Sequence, residues 1–141
     1  MTIQELQNEI ISNFEIFTDW EDRYAFIIQT GKELPQLPDG FKTEKYLLHG
    51  CQNQVWINAK LEDGKILIDA DSDSAIVKGL IALLIKVYSG QTPADILANP
   101  PDFVTKIGID HHLSPTRKNG LGAMIKEIQR MAFAYNMMAK K

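Results

Sequence analysis

The stretch Ala75-Ile76-Val77-Lys78-Gly79-Leu80-Ile81-Ala82-Leu83-Leu84-Ile85-Lys86-Val87-Tyr88 does most to limit what this chain can fold into. On a helix, Ile76, Val77, Leu80, Ile81, Leu83, Leu84, Ile85 and Val87 cover most of the circumference, and a helix that apolar has to be enclosed by other elements. Its unbroken apolar run, Leu80 to Ile85, is far short of the ~20 residues that span a bilayer. The rest of the chain must therefore wrap it as protein core. Ser72 or Asp73 is placed to cap its start, and Gly90 to end it.

The flanking patterns supply the wrapping. Ile3, Leu6, Ile10, Phe14 and Phe17 recur at helical spacing within Thr2 to Phe17. Asp19 reads as the N-cap of a second helix carrying Tyr24, Ile27 and Ile28, with Gly31 as its stop. Pro35, Pro38 and Gly40 make Leu34 to Gly40 an extended or turning connector. Three strand-like pieces follow: Tyr46 to Leu48, Gln54 to Leu61 and Lys65 to Asp71. In the second, Val55, Ile57, Ala59 and Leu61 alternate with Trp56, Asn58 and Lys60, the period of a half-buried strand. Glu62-Asp63-Gly64 predicts a hairpin turn. After the central helix, Thr92-Pro93-Ala94-Asp95 opens a short helix that Pro100 and Pro101 break. Phe103 to Ile109 is short and of either type, and Asp110 to Gly120 reads as a polar loop. A last helix runs from about Leu121 to Met138 on a stripe of Leu121, Met124, Ile125, Ile128, Met131, Ala132, Tyr135 and Met138. Segregated strands and helices predict an α+β fold, a three-stranded antiparallel sheet with helices on one face. A chain of 141 residues fits one domain spanning 1–141.

Charge narrows the function classes. A net charge of -3 and a pI near 5.6 argue against a nucleic-acid partner, which needs a basic face to neutralise phosphates. Met1-Thr2-Ile3-Gln4-Glu5 has neither the basic nor the apolar region of a secretory signal. One cysteine cannot close an intramolecular disulfide, which suits a reducing cytoplasm, and no membrane partner is expected.

Chemistry-bearing residues are few. Cys51 sits in His49-Gly50-Cys51-Gln52, between two strand-like pieces, where a loop gives a thiolate access and Gly50 permits a tight turn. Free cysteine is also among the most buried residue types, so spacing alone slightly favours a small core residue over a reachable thiol. A cysteine hydrolase needs a base, and His49, His111 and His112 are the only histidines, in no protease signature. No Cys-x-x-Cys or four-ligand set predicts a metal site, and one thiol cannot hold an iron–sulfur cluster alone. Asp69-Ala70-Asp71-Ser72-Asp73 begins like a calcium loop, but Ser74 and Leu80 stand where glycine and a bidentate glutamate belong. No phosphate loop is present, and Gly120-Leu121-Gly122 lacks the preceding strand of a dinucleotide fingerprint. Arg117, in Ser114-Pro115-Thr116-Arg117-Lys118, is equally a helix lead-in and an anion or acidic-partner contact. His112 suits a loop hydrogen bond or a partner contact, and Trp20 and Trp56 suit half-buried packing.

Six blocks in order resemble the SufE family, including its relative CsdE. They are Asp19-Trp20-Glu21-Asp22-Arg23-Tyr24, Gly31-Lys32-Glu33-Leu34-Pro35, Gly50-Cys51-Gln52-Asn53-Gln54-Val55-Trp56, Asp71 to Leu80, Tyr88-Ser89-Gly90-Gln91-Thr92-Pro93, and His112-Leu113-Ser114-Pro115-Thr116-Arg117 with Asn119-Gly120-Leu121. After the cysteine the family commonly has Gln-Ser-Gln-Val-Trp, and Asn53 replaces that serine here. The resemblance implies a SufE/IscU-like fold and a non-enzymatic role: a sulfur acceptor and activator of a cysteine desulfurase, SufS-like or CsdA-like. Cys51 would carry persulfide sulfur to an iron–sulfur assembly scaffold of the SufB type. It implies no cofactor on this chain, pyridoxal phosphate belonging to the partner. Asp73, Arg117, His112, Gly50 and Gln52 match positions around the active-site loop or the partner contact. A non-covalent module that activates a desulfurase without carrying sulfur is the other reading.

Overall fold

The computed structural model describes residues 1–139. Lys140 and Lys141, the end of the expected domain, lie outside the described residues. Helix α1 (Ile3–Glu15) opens on a capping box, in which the Thr2 hydroxyl accepts from Glu5 N–H and the Glu5 carboxylate from Thr2 N–H. Helix α2 (Trp20–Lys32) starts where expected, with Asp19 Oδ1 accepting from Asp22 N–H at 2.8 Å. A connector with a 3₁₀ turn at Asp39–Phe41 leads to a second one at Glu44–Tyr46. Strands β1 (Val55–Glu62) and β2 (Lys65–Ser72) form an antiparallel hairpin. Asp63 and Gly64 close it in the left-handed region, at φ 53° and 78°, as a two-residue turn of this hand requires. Helices α3 (Ala75–Tyr88), α4 (Pro93–Ala98), α5 (Phe103–Lys106) and α6 (Pro115–Ala139) complete the order.

The sheet has two strands rather than the expected three. The Tyr46–Leu48 segment contributes only a single bridge, Leu47 to Trp56, and a 2.7 Å bond from Leu48 N–H to the Val55 carbonyl. The 3₁₀ turn at Glu44–Tyr46 precedes it and Gly50, at φ 95°, bends the chain away after it, so too few extended residues remain to continue a ladder.

One face of the hairpin is apolar: Val55, Ile57, Ile66, Ile68 and Ala70 are buried against the core, with α3 packed on β2. From α6, the Tyr135 hydroxyl donates to the Ala59 carbonyl at 3.1 Å. On the opposite face, Lys60, Glu62, Lys65 and Asp69 are exposed. As its pattern demands, α3 is the enclosed helix, with Leu80, Ile81, Leu83, Leu84 and Val87 buried.

Three local expectations change. Ser74, not Ser72 or Asp73, caps α3 through a bond from Val77 N–H. Gly31 does not stop α2, which continues to Lys32. It lies instead where α2 crosses α3: a Cβ there would sit 2.7 Å from Gly79 N, and a Cβ on Gly79 2.2 Å from the Ile27 carbonyl oxygen. The two glycines let the helix backbones touch. Finally, much of the polar stretch Asp110 to Gly120 is helical. Ile109–His111 is a 3₁₀ turn, and α6 starts at Pro115 with Ser114 Oγ accepting from Arg117 N–H. A proline at the first helical position has no N–H to lose there.

Candidate functional site

Cys51 stands on a short loop whose two feet are fixed. At the first, Leu48 N–H donates to Val55 O. At the second, Gln54 is held from three directions. Its N–H donates to Asp73 Oδ1 at 3.0 Å, and its carbonyl accepts from Asp73 N–H at 3.2 Å and from Ser72 Oγ at 2.8 Å. Asp73 thus staples the loop rather than capping α3. Gly50 supplies the positive φ at the turn into the cysteine.

The tip is held more weakly. The Cys51 thiol donates to the Gly120 carbonyl on α6 at 3.5 Å, and a thiol is a poor donor. Gly120 is what allows this approach, because a Cβ there would lie 3.1 Å from Cys51 Sγ. The sulfur faces a cavity of about 10 Å³, room for about one water molecule. Apolar Val77, Leu121 and Met124 wall it together with Gln52, Asn53 and Arg117. Cys51 is half-buried, and that burial raises its thiol above the ordinary value of 9.0. At rest the sulfur is therefore a neutral, sheltered thiol, retained by apolar packing and one weak hydrogen bond.

Of the positions singled out in the sequence, Cys51, Gln52 and Arg117 meet at this cavity, Gly50 shapes the turn and Asp73 fixes a foot. Arg117 also lines an open groove of about 520 Å³ with Tyr24, Ile28, Ser74, Ala75 and Ile76. His112 does not line the cavity. Its ring stacks on Trp20 at 3.8 Å, and its carbonyl accepts from the Tyr24 hydroxyl. Its link to the site runs through Tyr24 and the groove. Another cleft, of about 380 Å³ between β1 and the second half of α6, contains no cysteine in its lining. Among the described residues, no group of three or more His, Cys, Asp or Glu side chains is placed to hold a metal ion, and no helix is long and apolar enough to cross a membrane.

Sequence reasoning missed Gly120 and Gln54. Gly120 reads in the sequence as the end of a polar loop, and only its place inside α6 shows that it accommodates the sulfur. Gln54 acts through its backbone, which side-chain identity does not reveal.

The model of the SufE family, described as an Fe-S metabolism associated domain, matches residues 8–132. The chain belongs to the SufE family. An uncharacterized SufE-like protein of Synechocystis sp. (strain ATCC 27184 / PCC 6803 / Kazusa) is 38% identical over 129 residues, covering 92% of this chain and 81% of that protein. One of Rhizobium meliloti (strain 1021) is 36% identical over 130 residues, covering 89% and 93%. The solution structure of a hypothetical protein from Thermus thermophilus superposes with a TM-score of 0.75 at 24% identity, covering 92% of this chain and 94% of that one, and so shares the fold. Membership of the SufE family associates this protein with iron–sulfur metabolism.

Proposed function

We propose that this SufE-family protein accepts sulfur from a cysteine desulfurase on Cys51 and passes it to an iron–sulfur assembly scaffold, activating the desulfurase by unloading it. The observation that carries the reading is the setting of Cys51: the single cysteine, at the tip of a loop with fixed feet and a weakly held thiol. A core cysteine needs no such loop, and a carrier needs a sulfur that can be sheltered and then presented.

The chemistry is substitution at sulfur, as in thiol–disulfide exchange. The Cys51 thiolate attacks the outer sulfur of the desulfurase persulfide. A new S–S bond forms on Cys51, the S–S bond of the donor breaks, and the donor cysteine leaves as thiolate. No net oxidation occurs, because the sulfur atom moves with its oxidation level. A scaffold thiolate, of the SufB type, repeats the attack on Cys51. With no second thiol in the chain, the persulfide cannot discharge as an internal disulfide. Reactivity requires the thiolate, which burial disfavours at rest, so docking on the partner frees the tip from Gly120. Arg117, between cavity and groove, meets the partner surface, and Gln52 flanks the sulfur. The protein is then an accessory carrier, not an enzyme, working in a reducing cytoplasm. It needs no cofactor of its own: pyridoxal phosphate belongs to the desulfurase.

The suppressed ionisation of Cys51 is the one feature that favours the alternative, a module that activates the desulfurase without taking sulfur. Incubation with a cysteine desulfurase and cysteine, followed by intact and peptide mass measurement, separates the two. The carrier reading expects one added sulfur on the Cys51 peptide, lost in Cys51→Ser together with activation. Full activation by Cys51→Ser, with no sulfur on the wild type, supports the binding module.

A further inference from the structure

Asp71 is a carboxylate only 5% exposed, on the outward side of β2 opposite Trp56. Buried carboxylates persist where partners surround them, and this one has three. Its Oδ2 accepts from Lys42 Nζ at 3.1 Å, and its Oδ1 from Lys78 Nζ at 3.2 Å and from Ser72 N–H at 2.8 Å. The three come from different places. Lys42 lies in the connector that leads, through Glu44–Tyr46, into the Leu47–Trp56 bridge and the first foot of the sulfur loop. Ser72 belongs to the clamp on Gln54, the second foot. Lys78 lies on α3, whose cap, Ser74, has its N–H bonded to Ser72 Oγ. Lys42 also approaches the Trp56 ring at 6.0 Å, so the connector is drawn over the same end of the hairpin.

We propose that Asp71 is a positioning residue for Cys51: one buried carboxylate joins the two feet of the sulfur loop to each other and so sets how readily the thiol leaves its cavity. This rests on Cys51 as the reacting centre. The tip itself is held by the weak thiol–carbonyl contact and by apolar packing, neither of which fixes the loop's direction, so the stiffness of the feet governs its excursions. Burial by itself would raise the Asp71 carboxyl, but bonds from Lys42, Ser72 N–H and Lys78 outweigh it and hold the group below its ordinary value. The ionised form is thus the one built into the hub. No part of this requires the carboxylate to touch the sulfur.

The test is the rate at which iodoacetamide alkylates Cys51 in the intact protein, with thermal unfolding measured alongside. Asp71→Asn removes the charge at nearly constant shape and should speed alkylation about tenfold, the scale of a lost charged hydrogen bond. Lys42→Met cuts the tie to the first foot and should speed it severalfold. Lys78→Met, which leaves both feet joined through Asp71, should stay near the wild-type rate even if its unfolding temperature falls as far as that of Lys42→Met. Should Asp71→Asn not fold, the lysine pair decides the question. A folded Lys42→Met at the wild-type rate, or acceleration that follows lost thermal stability equally in both lysine variants, overturns the proposal. Because alkylation needs neither desulfurase nor persulfide, its outcome is separate from that of the sulfur-loading experiment.

Discussion

Gly120→Ala gives opposite expectations for stability and for shelter of the sulfur. Gly120 lies in the second turn of α6, where alanine should favour the helix by about 0.8–1 kcal/mol. The new methyl carbon would lie 3.1 Å from Cys51 Sγ. That is short of a comfortable heavy-atom contact, about 3.5–4.0 Å, by several tenths of an ångström. The helix backbone cannot give way, but the half-buried loop tip can, because the hydrogen bond that holds it there is the long thiol–carbonyl one at 3.5 Å. Losing that bond costs less than an ordinary hydrogen bond, about 0.5–1.5 kcal/mol. The net change should be neutral to slightly stabilising, a rise in unfolding temperature of up to about 4 °C. Reactivity moves the other way from shelter. Burial raises the thiol above 9.0 in the wild type, so moving the sulfur outward lowers its titration midpoint toward that value. At a fixed pH below the midpoint, each pH unit of lowering gives about tenfold more thiolate. Calorimetry and the pH profile of Cys51 alkylation measure the two effects together. An unchanged or higher alkylation midpoint, or an unfolding temperature several degrees lower, would refute the reasoning.

Gly79→Ala is expected to destabilise by more than about 3 kcal/mol, since its Cβ would sit 2.2 Å from the Ile27 carbonyl oxygen and force α2 and α3 apart; urea unfolding checks it, and a loss below about 1 kcal/mol would contradict the close crossing. Asp71 predicts an acid limb. Its folded value lies below the ordinary 3.8, so its contribution is complete above 3.8 and fades as the pH falls through the folded value; Asp71→Asn should flatten that part of the stability profile in acid denaturation.

The helices were legible because they obey a local rule. The apolar positions of α1, α2 and α3 recur at a helical period, and Asp19 and Thr92 announce their caps. The Asp63-Gly64 turn was equally local. What misled was length and context: Tyr46–Leu48 has strand-like residues but is cut to one bridge by the turns beside it. The polar residues after Pro115 are helical because α6 is carried by the apolar stripe beyond them.

The sequence by itself determined that a helix at Ala75–Tyr88 would be enclosed, that a hairpin would turn at Asp63-Gly64, and that any thiol chemistry would fall to Cys51, because periodicity, turn stereochemistry and residue type are properties of neighbours along the chain. Only the tertiary structure decided what surrounds that sulfur. Gly120 lies 69 positions from Cys51, Asp73 grips Gln54 from 19 positions away, and Lys42 and Lys78 converge on Asp71 from either side. These contacts depend on how the hairpin pairs and on how the connector, α3 and α6 come against it, which no short segment encodes alone. That packing makes Cys51 a half-buried thiol on a firmly footed loop, where spacing along the chain slightly favoured a core residue.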